Sequence, residues 1–158
     1  MNVEYARSSV TSPEAQRLEA SYRRVAASMR GLPIYHPLLE VEAIGFREHE
    51  GRQIGVLVTP WFMNFIALPC ELDLATWRRG NTVRLEFPSG RYDFLVSDGD
   101  VGLMATCSLF SPMHEFPDQD AARTAAQSAV DGLFAADERA QDSAPTLSRR
   151  ALLQGGRS

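Results

Sequence analysis

Apolar residues recur at Ala15, Leu18, Tyr22, Val25 and Met29, spacings of three and four that lie on one face of a helix. Ser12, Pro13 and Glu14 precede them as N-cap, first helical position and first-turn acid. Gly31 and Pro33 stop the pattern. Leu32 to Pro37 then reads as an extended connector, because each residue before a proline is pushed out of the helical region. From Val41 to Glu48 the rhythm becomes roughly alternating, which predicts a strand, with a turn at His49–Arg52. Ile54 to Thr59 is continuously apolar, as in a strand buried on both faces. Pro60 breaks it, and Trp61 to Leu68 reads as a further strand.

Asp73 to Arg79 predicts a short helical turn. Thr82–Phe87 and Tyr92–Ser97 flank the turn residues Pro88-Ser89-Gly90, and Asp98-Gly99-Asp100 is a second hairpin tip before a last strand, Gly102 to Phe110. Asp118 or Asp120 caps a second helix, whose thin apolar face is Ala122, Ala126, Val130 and Leu133. The sum is an α+β domain: a meandering, mainly antiparallel sheet with an N-terminal and a C-terminal helix packed on one face. Residues 1–11 read as a flexible N-terminus, 12–136 as one domain and 137–158 as a polar tail.

Between Arg52 and Glu71 there is no charged residue. A soluble domain hides such a run as core strands, or leaves part of it outside as a surface for a partner. In a strand, Trp61 and Met63 share one face while Phe62 and Asn64 share the other, so at most half of this set meets a partner. Trp and Met are enriched at interfaces. Phe110 and Met113, where the last strand runs into a loop, extend the candidate surface, and Tyr35 and Arg91 complete it. The competing reading puts every apolar member in the core.

Composition narrows the function. The 158 residues suit one domain, and the net charge of −4 argues against a nucleic-acid footprint. All 16 cations are arginine, which excludes Schiff-base chemistry and a P-loop lysine. Cys70 and Cys107 form no metal-spaced pair and fit a reducing, cytoplasmic setting. The first residues show no apolar signal region, and the uncharged stretch is too short and too broken by Pro60 and Pro69 to span a membrane.

Four blocks carry a resemblance: Leu32-Pro33-Ile34-Tyr35-His36-Pro37, Val58-Thr59-Pro60-Trp61-Phe62-Met63-Asn64, Phe87-Pro88-Ser89-Gly90-Arg91-Tyr92 and Cys107-Ser108-Leu109-Phe110-Ser111-Pro112-Met113. In this order they resemble the HybE/HupJ/HoxT family of nickel–iron hydrogenase assembly chaperones, over about Leu18 to Phe134. The resemblance implies a cytoplasmic helper rather than an enzyme, with an α+β fold and no cofactor. Its implied partners are the exported small-subunit precursor of the hydrogenase, then the large subunit and other maturation proteins. Some relatives look like fusions to a rubredoxin domain. This chain has no Cys-x-x-Cys unit, so iron binding is not carried over.

Two other classes stay open on the residues alone. Cys70, Cys107, His36, His49 and His114 would serve a redox or metal-handling protein, if the fold gathered them. A small-molecule enzyme would need clustered carboxylates or a phosphate loop, and the sequence shows neither. The tail adds Leu147-Ser148-Arg149-Arg150-Ala151-Leu152-Leu153, which resembles the core of a twin-arginine export signal. At this end of the chain it is not expected to export the protein. Either it is a coincidence in an arginine-rich segment, or Arg149, Arg150, Leu152 and Leu153 occupy the chaperone's own client site.

Overall fold

The computed structural model describes residues 12–135. Helix α1 (Pro13–Met29) leads into strands β1 (Glu42–His49), β2 (Arg52–Val58) and β3 (Met63–Leu68). A short helix α2 (Glu71–Thr76) precedes β4 (Thr82–Phe87), β5 (Gly90–Gly99) and β6 (Gly102–Phe110), and α3 (Gln119–Phe134) closes the described chain. Ser12 caps α1 by accepting from the Ala15 N–H, and Asp118 caps α3 by accepting from that of Ala121.

The six strands form one sheet in the order β1-β2-β3-β6-β5-β4, every neighbour antiparallel. It is two three-stranded meanders joined where β3 pairs with β6. The α+β class is as the sequence predicts. One feature differs: the two long helices lie on opposite faces of the sheet. Ala43, Phe46, Leu57, Ile66, Leu68 and Met104 pack with Ala15, Leu18 and Ala26 of α1. Val56, Val58, Met63, Phe65 and Ala67, the alternate positions of β2 and β3, pack with Ala122, Ala126, Ala129, Val130 and Leu133 of α3. This is why β2 and β3 are apolar at nearly every position. A strand covered on both faces needs two covers, which a single helical layer cannot supply.

Close approach sets two glycines. Gly45 has φ +70°, and a Cβ there would stand 3.1 Å from the Val130 side chain of α3. Gly55 lies under the Phe46 ring, 2.3 Å from where its Cβ would be. Gly45→Ala therefore combines a disfavoured backbone with overpacking, and is expected to cost about 1–3 kcal/mol, read from urea unfolding midpoints.

Side chains occupy the backbone groups where the chain enters the first strand. The Ala43 N–H donates to Glu19 Oε2 at 2.7 Å, and Arg23 Nη2 donates to the Val41 carbonyl at 3.5 Å. Gln119 accepts from the Glu40 N–H at 2.9 Å and donates to its carbonyl at 3.3 Å. At one corner the two outermost strands meet. His49 Nε2 donates to the Glu86 carbonyl at 3.0 Å, and its ring stacks on Phe87 at 5.0 Å. The sheet thus curls around α3, which explains why the larger core cluster draws on all six strands.

Candidate partner-binding surface

Trp61, Met63, Phe110 and Met113 are all buried, with Met63 and Met113 fully so. The expectation that these side chains face solvent is not met. Met63 and Phe110 are register partners in the β3–β6 pair, on the face that α3 covers, and Phe110 meets the edge of Phe116 at 5.0 Å. Trp61 sits in a tight turn, not in the strand. The Thr59 N–H donates to the Phe62 carbonyl at 2.8 Å, while Thr59 Oγ1 accepts from the N–H groups of Trp61 and Phe62.

Of the remaining candidates, Tyr35, Phe62 and Asn64 are half-buried and Arg91 is exposed. Tyr35 stacks on Trp61 at 6.3 Å, Trp61 meets Phe62 at 5.7 Å, and Phe62 meets Tyr22 of α1 at 5.8 Å. The fold therefore gathers Tyr35, Trp61 and Phe62 into one aromatic row. It sets Arg91 apart, on the β4–β5 hairpin whose Ser89 donates to the Leu133 carbonyl at the far end of α3. Arg149, Arg150, Leu152 and Leu153 lie outside the described residues.

The exposed apolar surface lies beside this row. Among the described residues seven large apolar side chains are exposed, and four of them (Val25, Leu32, Ile34 and Leu38) fall within residues 25–38. Val25 stands between Tyr22 and Met29 on the same helical face. Leu38 is 65% exposed and Leu32 50%, values at odds with their type. The connector and its prolines are legible in the sequence, but of its side chains only Tyr35 is expected at the surface. The available signal was Leu32-Pro33 and His36-Pro37, but the backbone there is not the extended segment these prolines predict. The Tyr35 N–H donates to the Leu32 carbonyl at 3.0 Å and the Leu39 N–H to that of His36 at 3.1 Å, so the connector folds into two successive turns, with no partner strand to bury its leucines against.

His36 ties the connector to the β2–β3 turn and to the segment before α3. Its backbone N–H donates to the Pro60 carbonyl at 2.9 Å. Its buried ring accepts from the Leu38 N–H at Nδ1 (3.2 Å) and donates from Nε2 to the Phe116 carbonyl (2.7 Å). This arrangement selects the neutral Nε2–H tautomer and leaves neither nitrogen for a metal. The surface changes character along its length. Beyond Leu38 come exposed Glu40, Glu115, Asp118 and Asp120. Arg123 pairs with Asp120 at 2.6 Å and with Glu42 at 3.1 Å.

Among the described residues no three His, Cys, Asp or Glu side chains are arranged to hold a metal ion. The rings of His36 and His114 lie 6.0 Å apart, and His49 is at the β1–β4 corner. Cys107 is half-buried opposite Phe65 in β6; burial, and then the charge of Asp93, push its thiol up, away from the reactive thiolate. Cys70 precedes α2, and its N–H donates to Asp73 Oδ2 at 3.0 Å. Asp73 also receives Arg52 in a forked pair, Nε at 2.6 Å and Nη2 at 2.9 Å, with the guanidinium 5.7 Å from the Trp77 ring centre. Burial alone would raise the Asp73 carboxyl. The hydrogen bonds from Arg52 and Cys70, with the Arg52 charge, outweigh it and hold the group below its ordinary range. No helix among the described residues is long and apolar enough to cross a membrane.

The solution structure of HybE from Escherichia coli is similar to this fold, with a TM-score of 0.61 and 25% identity over 78% of this chain and 77% of that one. The hydrogenase expression/formation protein HupJ of Bradyrhizobium diazoefficiens is 42% identical over 146 residues, covering 87% of this chain and 85% of the relative. The hydrogenase expression/formation protein HupT of Azotobacter chroococcum mcd 1 is 44% identical over 142 residues, covering 88% and 93%. Residues 13–155 match the family described as [NiFe]-hydrogenase assembly, chaperone, HybE. With that match across nearly the whole sequence, these relatives and the shared fold, the chain belongs to the HybE family of [NiFe]-hydrogenase assembly chaperones.

Proposed function

We propose that this protein acts by binding, not catalysis, and holds an immature nickel–iron hydrogenase subunit in the cytoplasm, above all the small-subunit precursor, until cofactors are in place. Leu32, Ile34 and Leu38 grip the client, with Tyr35 and Phe62 at the rim and Trp61 beneath as support. The observation that carries this is the run of exposed apolar side chains on a connector that His36 and Trp61 hold in place. Magnitudes suit reversible capture. Each buried large side chain contributes ~1.5–3 kcal/mol. Association costs an estimated ~4–15 kcal/mol in lost freedom. Three anchors therefore give weak docking and easy release.

The test is co-purification of a tagged small-subunit precursor with a Leu32→Ser, Ile34→Ser, Leu38→Ser variant. Because these side chains are exposed, the melting temperature is expected to stay near that of the wild type while capture falls about tenfold or more. Leu72→Ser, an equally exposed position on α2, is expected to capture normally. Undiminished capture by the triple variant refutes the assignment.

A further inference from the structure

We propose that Leu147–Leu153 of this chain docks on the acidic end of the connector surface and competes there with the client, a regulatory role that rests on the client reading above. The surface asks for a ligand with two chemistries. Its apolar part is Leu38 and Ile34. Its charged part is Glu40, Glu115 and Asp118, which have no ion-pair partner among the described residues, although Asp118 also caps α3. A complementary segment carries adjacent cations among leucines. Leu147-Ser148-Arg149-Arg150-Ala151-Leu152-Leu153 does so, without one acid.

The chain can reach. Gln119, at the start of α3, touches Glu40, so the acidic end lies at the N-terminal end of that helix. The 16 residues of α3 carry the chain about 24 Å away from it. The return is made by residues 136–146, which extended span at most ~36–40 Å. The span is sufficient without unfolding any element. The family match also runs on to residue 155 and so includes this segment.

The experiment uses the full chain and its Arg149→Glu, Arg150→Glu variant. Amide hydrogen exchange is followed at residues 32–40 and 114–121, and affinity is measured for the same small-subunit precursor. In the variant, exchange in both segments is expected to quicken, and client affinity to rise roughly 3- to 10-fold as self-occupancy is relieved. Adding Glu40→Arg and Glu115→Arg to that variant is expected to restore protection. Unchanged exchange overturns the proposal, as does faster exchange with no gain in affinity. If the connector triple variant still captures the precursor, it is the client reading that falls, and the exchange data alone decide whether the tail contact exists.

Discussion

Asp73→Ala is expected to destabilise the fold by about 3–5 kcal/mol, a large part of the ~5–15 kcal/mol that holds a domain of this kind together. Asp73 is 3% exposed and carries three roles: it accepts both prongs of Arg52 and the N–H of Cys70. Removing it leaves a guanidinium with little solvent against Trp77 and strips the start of α2 of its acceptor. Urea unfolding at neutral pH measures the loss. Acid titration gives an independent signature. The folded carboxyl lies below its ordinary value of 3.8, so its contribution is complete above that range and disappears as pH falls through the depressed folded value. The wild type is thus expected to lose stability on acidification in a limb that Asp73→Ala lacks. Parallel acid limbs in the two proteins would refute the clamp.

Met63→Ser is expected to have an effect of similar or greater size. Met63 is fully buried in the larger core cluster, paired with Phe110 and covered by α3. Truncating a buried methionine costs about 2–5 kcal/mol, and a hydroxyl with no partner adds about 1–3 kcal/mol. Circular dichroism melts should show a protein that is unfolded or close to it at 37 °C. Phe62→Ser, one residue earlier but half-exposed, should melt much closer to the wild type. A folded, stable Met63→Ser protein would mean that the charge-free run is surface after all.

This pair of neighbours shows where the sequence was legible. Local chemistry announced the start of α1 at Ser12-Pro13 and the hairpin at Pro88-Ser89, and both stand in the fold. The last helix was equally plain, because Ala122, Ala126, Val130 and Leu133 repeat at helical spacing. What was hidden depended on partners distant in sequence. Nothing near Met63 tells whether one helix or two cover its sheet. The absence of charge from Gln53 to Cys70 arises because α1 takes Leu57 and Ile66 while α3 takes Val56 and Phe65. The bond between Arg52 and Asp73 joins two ordinary surface residue types 21 positions apart. The exposed leucines escaped for the opposite reason: Leu32 and Leu38 are core residues by type, and only the proline-bounded connector keeps them outside. Family resemblance gave the role but not the face that performs it.

The side chains of Glu19, Arg23 and Gln119 at the entry to the first strand have a consequence for a member of an assembly-chaperone family. Nascent polypeptides are full of strands looking for a mate, and a bare row of amides would recruit them indiscriminately or polymerise with its own copies. With the Glu40 and Ala43 N–H groups and the Val41 carbonyl already engaged by glutamine, glutamate and arginine, a foreign strand is hindered from pairing at the start of β1. At that end of the sheet, recognition is left to side chains rather than to backbone pairing.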